Sequence, residues 1–262
     1  MLARQRQSLI VDLVRRDGAA KVSDLVTALG VSDMTVRRDL DVLAEQGLVE
    51  KVHGGAALPV MRSVDEPGFD AKSSRALSEK RAIATAAAEL VRPGSAIGLT
   101  AGTTTWTLAQ RLRQVPDLTV LTNSVRVADV LWAPDRTVVL TGGIRTPSDA
   151  LVGPVALNAI RSLHLDQVFM GVHGMDSGAG FTTPNLMEAE VNVALVAAAR
   201  QLVVVADHSK FGTVGISSFA RWEDADVLVT DDGLSSAAQD ELTGRVGQLV
   251  VAQVDSGRSA AS

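Results

Sequence analysis

From Ala96 to Ala252 the sequence repeats one pattern: a short apolar run rich in β-branched residues, a polar or glycine-rich loop, then helical spacing. The runs are Ala96–Thr100, Leu118–Thr122, Thr137–Thr141, Gln167–Gly171, Leu202–Ala206, Val227–Thr230 and Gln248–Ala252. The helical stretches are Thr104–Arg113, Val125–Leu131, Val155–Leu163 and Glu188–Arg200. Strands that are nearly continuously apolar are buried on both faces, as in a parallel sheet. Their alternation with helices predicts an open α/β sheet covered on both sides. An Ala-rich helix, Arg81 to Val91, precedes the first strand and ends at Pro93-Gly94.

Ligands of such sheets sit at the carboxyl ends of the strands. Those ends carry Gly102-Thr103-Thr104-Thr105, Thr122-Asn123-Ser124, Thr141-Gly142-Gly143, Gly171-Val172-His173-Gly174-Met175-Asp176 and Ala206-Asp207-His208-Ser209-Lys210. Glycine admits close backbone approach, and hydroxyls and helix N–H groups suit a phosphate. No Gly-Lys-Ser/Thr follows, so the Gly-Thr-Thr loop is not a Walker loop. A helix cap alone would explain one such loop. Several at successive strand ends predict a shared anion pocket drawn from Gly102, Thr103, Thr104, Thr105, Asn123, Ser124, Gly142, Gly143, Gly171, Asp176, Glu188 and Lys210.

The first 58 residues follow a different rule. Leu9, Ile10, Leu13 and Val14 mark an amphipathic helix that Asp17-Gly18 ends. Ser23 is a natural N-cap for a second helix carrying Leu25, Val26 and Leu29, and Gly30 makes a tight turn. Ser32 caps a third helix, Asp33 to Glu45, with Val36, Leu40 and Leu43 inward and Gly47 as its stop. A strand, a Gly54-Gly55 tip and a return strand then form a wing. This succession is a winged helix-turn-helix, whose third helix enters the major groove of double-stranded DNA. Ser32, Thr35, Arg37 and Arg38 on its outer face, with Lys51 and His53 of the wing, are the expected DNA contacts. A three-helix dimerisation or adaptor module with a solvated arginine pair is the plainer alternative.

Charge bears on that choice. The 262-residue chain carries a formal net charge of −5, which by itself argues against nucleic acid. In residues 1–58 the basic and acidic side chains cancel, so DNA binding must use a local basic face.

The run from Val31 to Leu40, with Glu45-Gln46-Gly47-Leu48 and Val52-His53-Gly54-Gly55-Ala56, resembles the DNA-binding signature of the DeoR family of bacterial regulators. The resemblance extends over roughly residues 1–231, through Glu79–Ala84, Gly102–Thr105, Thr122–Ser124, Thr141–Gly143, Leu151–Pro154, Thr182–Asn185 with Glu188-Ala189, and Ala206–Gly212. It implies a C-terminal domain similar to ribose-5-phosphate isomerase that binds a sugar phosphate and so alters DNA affinity. It also implies a repressor of a sugar operon and a homo-oligomer, dimer or tetramer. Two departures bear on which sugar fits. Thr100 stands where the family commonly has Asp, and a Gly-Ala-Asp-Gly-like loop reads Gly171-Val172-His173-Gly174.

The expected organisation is a winged helix-turn-helix over 1–58, a linker over 59–78, an α/β sensor over 79–253 and a disordered tail over 254–262. The competing reading is a sugar-phosphate isomerase with a DNA-binding arm. The paired acids and the lysine of the isomerases are missing from 171–180, so no catalysis is expected; Glu188 is expected to orient sugar hydroxyls or cap a helix. No metal or cofactor is expected: there is no cysteine, and His53, His164, His173 and His208 lack ligand spacing. No apolar segment has the length of a membrane span or signal, so no membrane partner and a cytoplasmic location are expected.

Overall fold

The computed structural model describes residues 3–45, 48–57, 63–66, 68–134 and 136–254. The chain divides into two compact units, Met1–Arg62 and Ser63–Ser262. Among the described residues no helix is long and apolar enough to cross a membrane.

In the first unit α1 (Ala3–Asp17), β1 (Ala19–Lys21), α2 (Val22–Leu29), α3 (Asp33–Glu45), β2 (Glu50–Val52) and β3 (Gly55–Ala57) follow in order. Ile10, Val14, Leu25, Leu29, Val36, Leu40 and Leu43 close a single core. Gly30, at φ 64°, takes the left-handed turn that ends α2. Ser32 caps α3 by accepting the Thr35 N–H at 3.3 Å. Ser23 does not cap α2, which already begins at Val22 with Lys21 in the cap position. The cause is β1, too short to leave a sequence pattern. It pairs antiparallel with β3, Lys21 opposite Gly55, and a Cβ at Gly55 would lie 2.3 Å from the Ala20 carbonyl oxygen. β2 and β3 form the wing, with His53 and Gly54 at its tip. Gly47, the expected helix stop, lies outside the described residues.

The second unit is an open α/β domain. It runs α4 (Phe69–Ser73), α5 (Leu77–Ala88), β4 (Ala96–Leu99), α6 (Thr103–Leu112), β5 (Thr119–Thr122), α7 (Val125–Leu131), β6 (Thr137–Leu140), β7 (Ile144–Arg145), β8 (Leu151–Val152) and α8 (Pro154–Arg161). Then come β9 (Gln167–Gly171), β10 (Gly174–Asp176), β11 (Gly180–Thr183), α9 (Leu186–Ala198), β12 (Leu202–Val205), β13 (Ser217–Ala220), β14 (Val227–Asp231), α10 (Ser236–Thr243) and β15 (Leu249–Ala252). The main sheet has the order β15-β14-β12-β9-β4-β5-β6, and every neighbouring pair is parallel. Phe169, Val203 and Val205 face the layer of α5, α6 and α7. Val168, Met170 and Val204 face α8, α9 and α10. The chain starts at β4, runs outward through β5 and β6, returns to β9 and runs outward the other way. Direction therefore reverses between β4 and β9, which is the switch point where open sheets bind ligands.

Two features carry no strand signal in the sequence: the β7–β8 ribbon and a small antiparallel sheet of order β10-β11-β13. The segment expected to be a linker, 59–78, also differs from a plain spacer. It contains α4 and the start of α5, and Phe69 is buried edge-on against Trp106 with ring centroids 5.8 Å apart. Arg126 lies over the Phe69 ring at 4.2 Å and pairs with Asp70 at 3.3 Å. Within this stretch residues 59–62 and Pro67 lie outside the described residues, as does the expected tail beyond Val254.

Candidate functional site

In the first unit the helix α3 separates two jobs by face. Val36 and Leu40 are buried, while Ser32, Arg37 and Arg38 are exposed. Asp39 is buried and accepts from Arg6 Nη2 at 3.2 Å and Gln7 Nε2 at 3.0 Å, so it fixes α3 to α1. The Ser32 and Thr35 hydroxyls pair at 2.8 Å beside the first turn. Arg37 is held by Asp33, one turn earlier, at 2.5 Å. Arg38 makes no ion pair among the described residues. On the wing, Lys51 pairs with Asp41 at 2.5 Å and His53 is exposed at the tip. A hydroxyl pair, two outward arginines and a wing cation on one small unit are groups that bind phosphates and guanine edges.

In the second unit the candidate site lies at the switch point. β4 is followed by Thr100, whose Oγ1 accepts the Gly171 N–H across the switch at 3.2 Å. The chain then turns through Gly102, at φ 151°, a conformation that favours glycine, into α6. No side chain caps α6, so its first-turn N–H groups are open to an anion. Thr103, Thr104 and Thr105 are buried in that turn. Asn123 steers the loop: its Oδ1 accepts the Ala101 N–H at 2.8 Å and its Nδ2 donates to the Leu151 carbonyl at 3.3 Å. Ser124 caps α7 by accepting the Val127 N–H at 3.3 Å. Both are thus positioning groups.

The charges come from a segment whose sequence predicts only a linker and the helix after it. Lys72, Arg75, Lys80 and Lys210 lie close enough for the charges of Lys72, Arg75 and Lys210 to act on Lys80. The buried Lys80 ammonium donates to the Lys72 and Arg75 carbonyls at 2.7 and 2.6 Å. These bonds span Ala76, whose left-handed φ of 48° costs an L-residue about 1–2 kcal/mol. Burial first, then the neighbouring cations, pushes the Lys80 pKa down to about 8, against the pull of Asp207. Burial lowers Lys72 as well.

Carboxylates face these cations. Glu188 accepts from the Thr146 hydroxyl at 2.8 Å, from Thr183 at 3.1 Å and from Ser148. Burial, aided by the nearby Glu66, raises its pKa. Glu66 accepts the Ser148 N–H at 3.1 Å and Asn185 Nδ2 at 3.0 Å. Burial works against its ionisation, but these hydrogen bonds hold its pKa below the usual value. His173 feels charges of both groups, Lys210 and Lys72 as well as Glu66. Burial, Lys210 and Lys72 push its pKa down to about 4.

Three expected pocket residues are engaged in local structure. The Asp176 carboxylate accepts the Gly178 and Ala179 N–H groups at 2.9 and 3.0 Å, closing the β10–β11 turn. Gly142 and Gly143 follow β6, at the sheet edge; a Cβ on Gly143 would lie 2.4 Å from the Val152 carbonyl oxygen. A cleft lined by Glu89, Arg92, Ser95, Asp166, Gln167 and Gln248 lies at the amino ends of the strands. Gln167 there is engaged by the Leu90 carbonyl and Gln201, and Asp166 by the Ala96 N–H, which leaves the switch point as the better candidate.

Comparison with known proteins agrees with this division. Residues 6–61 match the family model described as DeoR-like helix-turn-helix domain. Residues 75–232 match the one described as DeoR C terminal sensor domain. The chain is 37% identical over 243 residues to the HTH-type transcriptional regulator GlpR of Haloferax volcanii, covering 92% of this chain and 95% of that protein. It is 37% identical to the uncharacterized HTH-type transcriptional regulator FruR of Bacillus subtilis, covering 88% and 92%. It is 34% identical to the glycerol-3-phosphate regulon repressor of Escherichia coli, covering 87% and 90%. Among solved structures, the ribose 5-phosphate isomerase A of Methanocaldococcus jannaschii superposes with a TM-score of 0.37 at 17% identity, over 50% of this chain and 53% of that one.

Proposed function

The chain belongs to the DeoR family of HTH-type transcriptional regulators, and from that premise we propose that it represses a sugar-metabolism operon until a phosphorylated sugar releases it from operator DNA. The observation that carries the effector half is the cluster of Lys72, Arg75, Lys80 and Lys210, in a domain whose α6 N-terminus at the switch point carries no side-chain cap. Open N–H groups and fixed cations reward a dianion far more than a neutral hydroxyl. Glu66 and Glu188, already accepting from hydroxyls and an amide, supply acceptors for the sugar. The relatives named as a glycerol-3-phosphate regulon repressor and as HTH-type regulators support the direction of control.

On the DNA side Ser32, Thr35, Arg37, Arg38, Lys51 and His53 contact the duplex. The protein acts as a homo-oligomer, because two winged helices on two half-sites reach the affinity that one unit with balanced charge does not. Ligand in the pocket shifts the population toward the arrangement that fits two half-sites poorly. The pocket binds without turnover: Glu188 is engaged by the hydroxyls of Thr146, Ser148 and Thr183. Thermal scans test the effector half. A phosphorylated sugar at about 100 times its dissociation constant stabilises the protein by roughly 2.7 kcal/mol, whereas the free sugar does not. Thr104→Val blunts the shift and Lys210→Ala reduces it further. An equal shift with the unphosphorylated sugar contradicts this reading.

A further inference from the structure

His173 is placed by its backbone, not by its ring. Its N–H donates to the Thr182 carbonyl at 3.1 Å, which fixes the residue just before β10. The ring Nε2 is buried and has no hydrogen-bond partner. A buried polar atom without a partner is rare enough to need an explanation. Trp222 Nε1 and Thr230 Oγ1 share that condition, but neither is among the charged groups of the pocket. His173 is. It lies two residues past the end of β9, where Gly171 bonds Thr100 across the switch, and Lys210, Lys72, Asp65 and Glu66 all act on its charge.

We propose that His173 is the specificity-determining residue of the effector pocket, its Nε2 pairing with a neutral hydroxyl on the sugar, and that the ligand is the monophosphate of an uncharged sugar or polyol. This rests on the phosphorylated-sugar reading above. The geometry selects the class by exclusion. The dianion is best held at the α6 N-terminus and the lysines, and Glu66 and Glu188, close enough to act on Lys72, repel a second phosphate or a carboxylate. An ammonium group at Nε2 would meet the charges of Lys72 and Lys210, and an imidazole that stays neutral offers no charge to offset them. A hydroxyl both donates and accepts, so it satisfies Nε2 in either tautomer.

The test uses the full chain, labelled with 15N at histidine, and its His173→Ala and His173→Gln variants. The probes are inorganic phosphate, glycerol 3-phosphate, ribose 5-phosphate, fructose 6-phosphate, glucosamine 6-phosphate and fructose 1,6-bisphosphate. Thermal shift gives apparent affinities, and the imidazole 15N resonance, assigned by its loss in His173→Ala, reports the contact. The expected result is that an uncharged-sugar monophosphate stabilises the protein more than inorganic phosphate and moves the His173 Nε2 resonance. His173→Ala then weakens that ligand by about tenfold, the size of one hydrogen bond to a buried group, and leaves inorganic phosphate within about twofold. His173→Gln, which keeps a donor and an acceptor, recovers part of the loss.

Other outcomes separate cleanly. Binding of the same sugar with no movement of the His173 resonance and no loss in His173→Ala overturns the assignment while the pocket stands. So does preference for glucosamine 6-phosphate or the bisphosphate, or stabilisation by inorganic phosphate that no sugar phosphate exceeds. No stabilisation by any probe overturns the phosphate pocket itself, and His173 with it.

Discussion

Arg37 and Arg38 are neighbours in sequence and unlike in their surroundings. Arg37 is tied to Asp33 at 2.5 Å, and that pair is more than half exposed, so solvent screens it. Arg38 carries no such partner among the described residues and is the freer of the two for a base edge. Arg38→Ala is therefore expected to abolish specific binding and Arg37→Ala to weaken it, a lost bidentate base contact costing about 1–3 kcal/mol. Gel shifts on operator DNA read both; wild-type affinity in the double variant contradicts the winged-helix assignment. A second residue gives a pH signature. The His208 ring is hydrogen-bonded to the buried Asp231 at 2.6 Å, which raises the imidazole pKa. A raised folded pKa stabilises fully below the unfolded value of about 6.5 and is lost as pH rises through the folded one. The stability gap between wild type and His208→Gln, measured in urea, should be wide at about pH 6 and narrow above the raised value. A gap that does not change with pH contradicts the pairing.

At the scale of elements, the segment from Glu66 to Lys80 decides how much the sequence can tell. The seven parallel strands are readable because each is a short, mostly apolar run, and the site's α6 turn is readable because Gly102 and three threonines follow such a run. The cations are not. α4 spans only Phe69–Ser73, too short for a periodic signal, and what fixes it lies far along the chain: Ser148 and Asn185 hold Glu66, Trp106 and Arg126 hold Phe69. No local pattern reports such partners; the available hint is Lys72, Arg75 and Lys80 falling together just before the first strand. Ser23 misleads for the opposite reason: its residue type fits a cap, but α2 already begins at Val22, directly after β1. Because Glu66 anchors this segment at one end, Glu66→Ala should speed amide hydrogen exchange across residues 68–76 and leave β4, β9 and β12 unchanged. Uniform acceleration throughout the sheet would mean that Glu66 serves the whole core.

At the scale of the molecule, two units with separate cores share one chain, and the proposed effector pocket draws on the stretch that follows the DNA-binding unit. Glu66, Lys72, Arg75 and Lys80 all belong to that stretch, so a ligand that draws the lysines toward its phosphate acts on the chain leading back to the winged helix. On the proposed function, release needs only a shift between arrangements that fit two half-sites well or poorly. The most direct test is fluorescence anisotropy of the full-length protein on operator DNA recovered by selection from a random pool, titrated with sugar monophosphates and with the same sugars lacking phosphate. Nanomolar-class binding is expected, about 10⁻⁸ M or tighter at physiological salt, that at least one sugar monophosphate weakens tenfold or more while its free sugar leaves it unchanged. Release by the free sugar at equal concentration, or affinity that no phosphorylated sugar alters, would contradict it.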